Sequence, residues 1–284
     1  MQLLTRFKIS GYLFLWVLAY FSHCKNSSSS GENLAALLPL LNLTSDLNFC
    51  PKSPLPSEIQ IATTVVSASA NVSGFSDKNK AINGICGSGD LVGSLDVYAL
   101  DITGPGASIV LSWGGKTVKN VTGDDFIVYD NSFRISDESN TYAMDPSVIQ
   151  VSIDNTNFCG FNPSYTGGGV NIMNSWNRFG GLRPVYYNMS TKPFTNLELF
   201  TKTNGSFLLG GGDGFDLEDL DPNDPNDTGC DSNLVDTIRA SGFKFLKITS
   251  AAEVNNPNTG SKFPWPPGSY NGSDIDGVVA RELQ

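Results

Sequence analysis

Histidine is almost missing from this chain of 284 residues. The single one, His23, stands at the end of an apolar N-terminal segment, directly before Cys24. Imidazole is the commonest acid/base group and metal ligand near neutral pH, so removal of that segment would take Ser-His-Asp chemistry, Cys-His chemistry and most zinc sites with it. Positive charge is also short: 18 Lys and Arg face 28 Asp and Glu, for a net charge of −10. Such a surface is wrong for nucleic acid, whose binding rests on neutralised phosphates, and for direct adhesion to anionic headgroups. No Cys-x-x-Cys spacing occurs, which speaks against a metal cluster or redox pair. Past the N-terminus there is no run long enough to span a bilayer, no coiled coil and no internal repeat. With charged residues at 16 % and Gly, Asn, Ser and Thr abundant, the composition favours short strands joined by many turns.

The N-terminus reads as an export signal. Arg6 and Lys8 precede an apolar stretch over 9–21 and then a cleavage zone, and that stretch is too short for a ~30 Å hydrocarbon core. A cysteine just after the apolar core is where bacterial lipoproteins are cleaved and acylated, so Cys24 is the predicted lipidation site. The residues before it, Tyr20-Phe21-Ser22-His23, depart from the usual Leu and small residue, as spirochaete signals do; the competing reading is an ordinary signal cut nearby. Loss of 1–23 moves the net charge to −12, since that segment carries two cations and no carboxylate. A Ser-rich, Leu-rich and Pro-rich stretch over 24–58 predicts a flexible tether, although 34–43 is apolar enough for a short amphipathic helix. Exported, lipid-anchored to a bacterial outer membrane and surface-exposed is the expected placement, the acyl chains contributing about 0.8 kcal/mol per buried methylene.

Residues 59–284 predict an all-β, jelly-roll-like sandwich with one short helix. Ile109, Leu111 and Trp113 alternate onto one face, as do Ile149, Val151 and Ile153. Further strands are expected over 61–66, 126–129, 243–248 and 275–279, with glycine-rich turns between them. One helix is predicted with Ser232 or Asn233 as cap, Leu234, Val235 and Ile238 on one face, and Gly242 as stop. Cys50, Cys86, Cys159 and Cys230 form an even set, pointing to two disulfides in an oxidising compartment. Three pairings are open; the shorter loops favour Cys50 with Cys86 and Cys159 with Cys230.

Carboxylates carry the densest chemical signal. Seven fall within fifteen residues from Asp213 to Asp227, on a loop shaped by Gly and Pro, and hard oxygen ligands of this kind suit calcium. Asp213, Asp216, Asp219, Asp221, Asn223 and Asp227 are candidate ligands. The odd-numbered spacing resembles an EF-hand loop but then fails, because no Gly follows Asn223 and Cys230 stands where a bidentate Glu belongs. Asp125 and Asp130, and Asp274 and Asp276 near the C-terminus, form two more acidic groups that a sandwich could bring together at one end. Ca²⁺ is the one cofactor expected. Paired carboxylates also admit a glycan hydrolase or lyase. Trp176, Trp265 and Tyr270 lie in loop-like sequence where aromatic faces could stack on sugars, the bland reading being that Trp265 and Tyr270 pack under a proline-stiffened loop. Asn71, Asn120, Asn188, Asn204 and Asn271 head Asn-x-Ser/Thr triplets, glycan acceptors only in a eukaryote.

An ordered set of segments over roughly 60–284 resembles a family of bacterial cell-surface proteins of unknown function, most closely its leptospiral-type lipoproteins. Gly123-Asp-Asp-Phe-Ile-Val-Tyr-Asp-Asn-Ser-Phe133 is similar to that family's G-x-D-F-x-V-F-E-N-x-F segment. Ser152-Ile-Asp-Asn-Thr-Asn-Phe158 resembles its strand-and-turn V-S-x-D-G-x-x-W/F, and Gly211-Gly-Asp-Gly-Phe-Asp-Leu217 its G-G-D-x-F-D-L. Residues 234–248 fit its helix and following strand, and Gly272-Ser-Asp-Ile-Asp-Gly-Val278 its closing G-F-D-I/L-D-A-V, with Ser273 replacing the aromatic. The resemblance implies a surface-exposed β-sandwich and supplies no reaction. The expected function is a lipid-anchored, non-catalytic, calcium-stabilised module binding a glycan or an extracellular host protein; a carboxylate-dependent glycan hydrolase or lyase is the alternative.

Overall fold

The chain alternates between two sheets, and that alternation decides where its acidic residues meet. The computed structural model describes residues 50, 54–68, 74–102, 107–137, 140–203, 207–266 and 271–284, all within one unit, Phe49–Gln284. Cys24, Asn71, Asn204, Tyr270, the signal and most of the tether lie outside the described residues.

Among the described residues fourteen strands run in the order β1 (Gln60–Ile61), β2 (Thr64–Ala68), β3 (Tyr98–Ala99), β4 (Ser108–Ser112), β5 (Phe126–Asp130), β6 (Phe133–Arg134) and β7 (Tyr142–Ala143). There follow β8 (Ser147–Ser152), β9 (Cys159–Gly160), β10 (Ser164–Tyr165), β11 (Trp176–Asn177), β12 (Asp213–Phe215), β13 (Phe245–Ser250) and β14 (Asp274–Ala280). The first sheet has the order β1-β14-β5-β12, with β3 also on β14; the second is β2-β4-β13-β8-β9. All these pairings are antiparallel. Strands β1 to β5 fall in alternate sheets, as do β12 to β14, so the all-β sandwich is the observed fold.

Between the sheets lies the main core. Ile109, Leu111, Val151, Leu246 and Ile248 face Phe126, Val128, Ile275 and Val278, the period-two set expected from a half-buried strand. Phe126 stacks on Phe215 at 5.3 Å between ring centroids and meets Phe243 edge-on at 5.2 Å. A second cluster, with Ile85, Tyr129, Tyr187 and Val279, covers the other face of the first sheet. A third joins Met144, Val148, Trp176, Phe179 and Phe263.

Two expectations shift. The strand expected over 61–66 is two strands in different sheets: Ala62 N–H donates to Val278 O at 2.9 Å and Thr63 N–H to Ser112 O at 3.0 Å, so the chain crosses the core between them. Of the two α-helices among the described residues, α1 (Asn196–Leu199) is a single turn closed by a Thr195–Glu198 capping box. The other, α2 (Ser232–Ser241), is the expected helix, but its cap is Asp231, one residue earlier, whose carboxylate accepts from Leu234 N–H at 2.8 Å. Gly242 ends it as expected, with φ 79° and no room for a Cβ, which would stand 2.0 Å from Val118 O. The disulfides are Cys50–Cys86 and Cys159–Cys230, the shorter-loop pairing.

Candidate functional site: a carboxylate cluster at one end of the sandwich

Antiparallel order carries the end of one strand to the start of its neighbours. Strand β5 ends at Asp130, beside the first residue of β14, Asp274, and near the first residue of β12, Asp213. From the facing sheet, Asp145 and Pro146 lead into β8 at the same end: Ser273 Oγ donates to Pro146 O at 3.3 Å. The Gly180–Gly181 segment closes it, with Asp145 N–H on Gly181 O at 3.3 Å and Ser132 Oγ–H on the same carbonyl at 2.6 Å. Gly181 has φ 75°, and a Cβ there would stand 2.3 Å from Asp145 O and 3.3 Å from Asp130 Cγ.

Asp130 is the most constrained of the four carboxylates. It is 1 % exposed. Its Oδ1 accepts from Asn131 N–H at 2.7 Å, while Oδ2 is buried without a hydrogen-bond partner. Burial drives its carboxyl well above the ordinary range, and the charges of Asp145, Asp274 and Asp213 push the same way. Asp274 accepts from Asn271 Nδ2 at 2.7 Å and Asn131 Nδ2 at 3.3 Å; burial pushes it up to about 6. Asp213 is 2 % exposed. It is held by the Arg183 guanidinium at 2.6 Å and by Leu182 N–H at 2.8 Å, yet burial still raises its carboxyl. Asp130, Asp213 and Asp274 are buried together with Asp145 beside them, and close like charges cannot all ionise unaided. Protons or a cation must compensate them. Oxygen-only donors with an unsatisfied buried carboxylate oxygen suit calcium, whose six to eight ligands include water and carbonyls. The set is open rather than a closed shell. Among the described residues, groups of three ligand atoms all within 4.8 Å of one another occur only at Cys50–Cys86–Asp96 and Cys159–Asp227–Cys230. In both of these the sulfurs are bonded to each other.

Of the ten residues proposed from sequence as metal ligands, then, Asp130, Asp213 and Asp274 come together at this end, while Asp125, Asp216 and Asp219 neighbour one another elsewhere, as do Asp221 and Asp227. Asp125 is fully buried, at the opposite end of β5. Its oxygens accept from Val121 N–H at 2.6 Å and Leu217 N–H at 2.7 Å, pinning two loops, and burial pushes it up to about 7. Asp216 caps the next turn through Glu218 N–H at 2.9 Å. Asp276 is fully buried, with both oxygens on Cys86 N–H. The loop expected to act as a calcium loop is occupied by its own turns. Asp221 accepts from Asn223 N–H and Asn162 Nδ2, and Asp224 from Asn226 N–H and Asn162 N–H. Asp219 lies 3.7 Å from Arg178, Asn223 is exposed, and Asp227 accepts from Gln150 Nε2 at 3.2 Å. In the EF-hand-like set only Asp221 is bonded to its own turn, while Asp219 faces Arg178 and Asp227 is tied to Gln150, so the set is drawn to separate partners.

Trp176 is likewise corrected as a sugar platform. It is 4 % exposed, packs on Tyr165, Phe179 and Phe263, and donates Nε1–H to Val170 O at 3.0 Å. Trp265 is half-buried against the same cluster. Asp145 and Arg183 were missed; the one local signal was an Asp-Pro step just ahead of a strong strand. Comparison with family models, with curated proteins and with solved structures finds no match to this chain.

Proposed function

We propose that this protein is a lipid-anchored, non-catalytic cell-surface module, whose sandwich is stabilised by calcium at the Asp130 end and which binds a glycan or an extracellular protein. One observation carries the cation: Asp130 Oδ2 is buried and unpartnered beside Asp145, Asp274 and Asp213. A divalent cation would relieve the repulsion and supply the missing partner. Asp130, Asp145 and Asp274 would hold it, while Arg183 neutralises Asp213. The export-type N-terminus and the resemblance to leptospiral-type surface lipoproteins support the placement at a cell surface, with Cys24 carrying the lipid, and the near-absence of histidine supports a non-catalytic module.

The test is a melting curve of the purified protein in EGTA and in millimolar CaCl₂. Ligand at a hundred times its Kd stabilises by about 2.7 kcal/mol, so a clear upward shift is expected, and Asp130→Asn should abolish it. Identical curves at millimolar calcium sink the cation reading. Mass spectrometry of the native N-terminus checks the anchor: acyl groups on Cys24 are expected, and a free, unacylated start refutes it.

A further inference from the structure

The outer face of the second sheet holds a groove of about 310 Å³, at the lower end of the ~300–1,000 Å³ typical of ligand sites. Two cross-strand pairs line it, Gln150 opposite Lys247 and Val148 opposite Thr249. Pro225 and Asn226 contribute from the acidic loop, and Val254 and Pro257 from the segment after β13. Gln150 Nε2 donates to Asn226 O at 2.9 Å and to Asp227 Oδ1 at 3.2 Å, which fixes the loop against the sheet.

One polar group of the lining is left without a partner: Thr249 is 9 % exposed and its Oγ1 is buried with no hydrogen bond. The Lys247 ammonium is half-buried and lies 5.5 Å from the Phe158 ring centroid; burial lowers its pKa against the pull of Asp227. A buried donor or acceptor left unmade is costly. Lys247 and Thr249 sit two residues apart on one strand face, a spacing of about 7 Å. A group meeting both must therefore be larger than a single small anion. It must offer an anionic oxygen to the ammonium, a hydroxyl to Thr249 Oγ1, and an apolar face to Val148 and Val254.

We infer that this groove binds a carboxylate-bearing sugar, with the carboxylate on Lys247 and a ring hydroxyl on Thr249. This deepens the glycan side of the proposed function and rests on it. A neutral hexose would bring no anion to the ammonium, and acetate would leave the Thr249 hydroxyl unmet.

The experiment titrates the full mature protein with D-glucuronate, D-glucose and acetate, read by amide chemical-shift changes, and repeats this with Lys247→Met and Thr249→Val. Glucuronate should perturb amides of 148–150 and 247–249 and bind at least ten-fold more tightly than glucose or acetate. Lys247→Met should weaken it at least ten-fold. Glucose binding as well as glucuronate, no binding of glucuronate, or undiminished binding by Lys247→Met each overturn the assignment. Lys247→Met should keep the calcium-dependent melting shift, which shows that it is folded. Glycan binding that survives loss of Lys247 would leave the binding-module reading standing while sinking this site.

Discussion

Replacing Arg183 by Met tests whether the end of the sandwich is an electrostatic balance or merely packing. Asp213 is 2 % exposed and its Oδ1 meets Arg183 Nη1 at 2.6 Å. Oδ2 keeps Leu182 N–H at 2.8 Å and Arg183 N–H at 3.3 Å in the variant. Methionine retains apolar contact near Phe207, over which the guanidinium lies at 5.9 Å, so little beyond charge is removed. Stripping one partner from a buried ion pair costs about 3–5 kcal/mol. Two backbone amides remain, and the Arg183 side chain is 32 % exposed. Solvent screening then favours the lower end, about 3 kcal/mol, or a fall of roughly 6–12 °C in Tm for a domain of this size. Urea unfolding in EGTA is the assay, with Asp213→Asn and the double variant completing a cycle. The double variant buries no uncompensated charge, so the two costs should fall short of adding by at least about 1 kcal/mol. The variant also leaves the four-carboxylate cluster one unit more negative, so calcium should raise its Tm more than it raises that of the wild type. A cost below about 1 kcal/mol, or strict additivity, refutes the reasoning.

Two further outcomes follow from the structure. In EGTA, stability should fall as pH rises from 5 to 8. Asp125 and Asp227 are each pushed up to about 7 by burial, so the folded state holds protons that the unfolded chain has released above about pH 4. Their stabilisation is full below that value and lost on passing 7. At full strength this is about 2.6 kcal/mol per group between pH 5 and 8, and halving it for screening leaves about 2–3 kcal/mol together. Asp154, held low by the amides of Asn157 and Thr156, works oppositely below pH 4, which places the optimum near pH 5; a Tm that is flat or higher at pH 8 contradicts this. Removing the Cys159–Cys230 bridge as a Ser pair opens a span of 71 residues, worth about 4 kcal/mol in the chain-entropy account. It should also loosen the loop bearing Asp227 and Asn226 and weaken groove binding; a Tm within 2 °C of wild type defeats the prediction.

Most of the fold was legible because alternation is local. Ile109, Leu111, Ile149 and Val151 declare their faces by period two, and they line the core as expected. What alternation cannot show is a change of sheet. Residues 61–66 form one β-branched run by sequence, yet Ala62 and Thr63 bond to opposite sheets. Trp176 was misplaced for a related reason: its flanking Asn and Ser mark a turn, but its burial depends on Phe179 and Phe263. Phe263 lies far off in the chain.

The acidic residues show where local spacing does carry a role and where it does not. Asp221-Pro-Asn223 and Asp224-Pro-Asn226 are the same tripeptide twice, and in each the Asn N–H bonds back to its Asp at 2.9 Å. That is an Asx turn, in which a short carboxylate satisfies an amide two residues on. The repeat therefore signalled self-capping, an alternative to metal ligation that spacing alone could have offered. Gly160 lets the loop seat, since a Cβ there would stand 2.5 Å from Asp224 Oδ2. The converging carboxylates have no such pattern between them. What they share is position: Asp130 is the last residue of β5, while Asp213 and Asp274 are the first of β12 and β14. Charge at a strand end is ordinarily solvated. Here Gly181 and Ser273 bring segments across that end, and burial, with Asp130 Oδ2 left unpartnered, turns three unremarkable strand-end residues into an electrostatic problem that a cation or protons must solve. The pairing order of the strands, rather than the density of acid along the chain, selects the site.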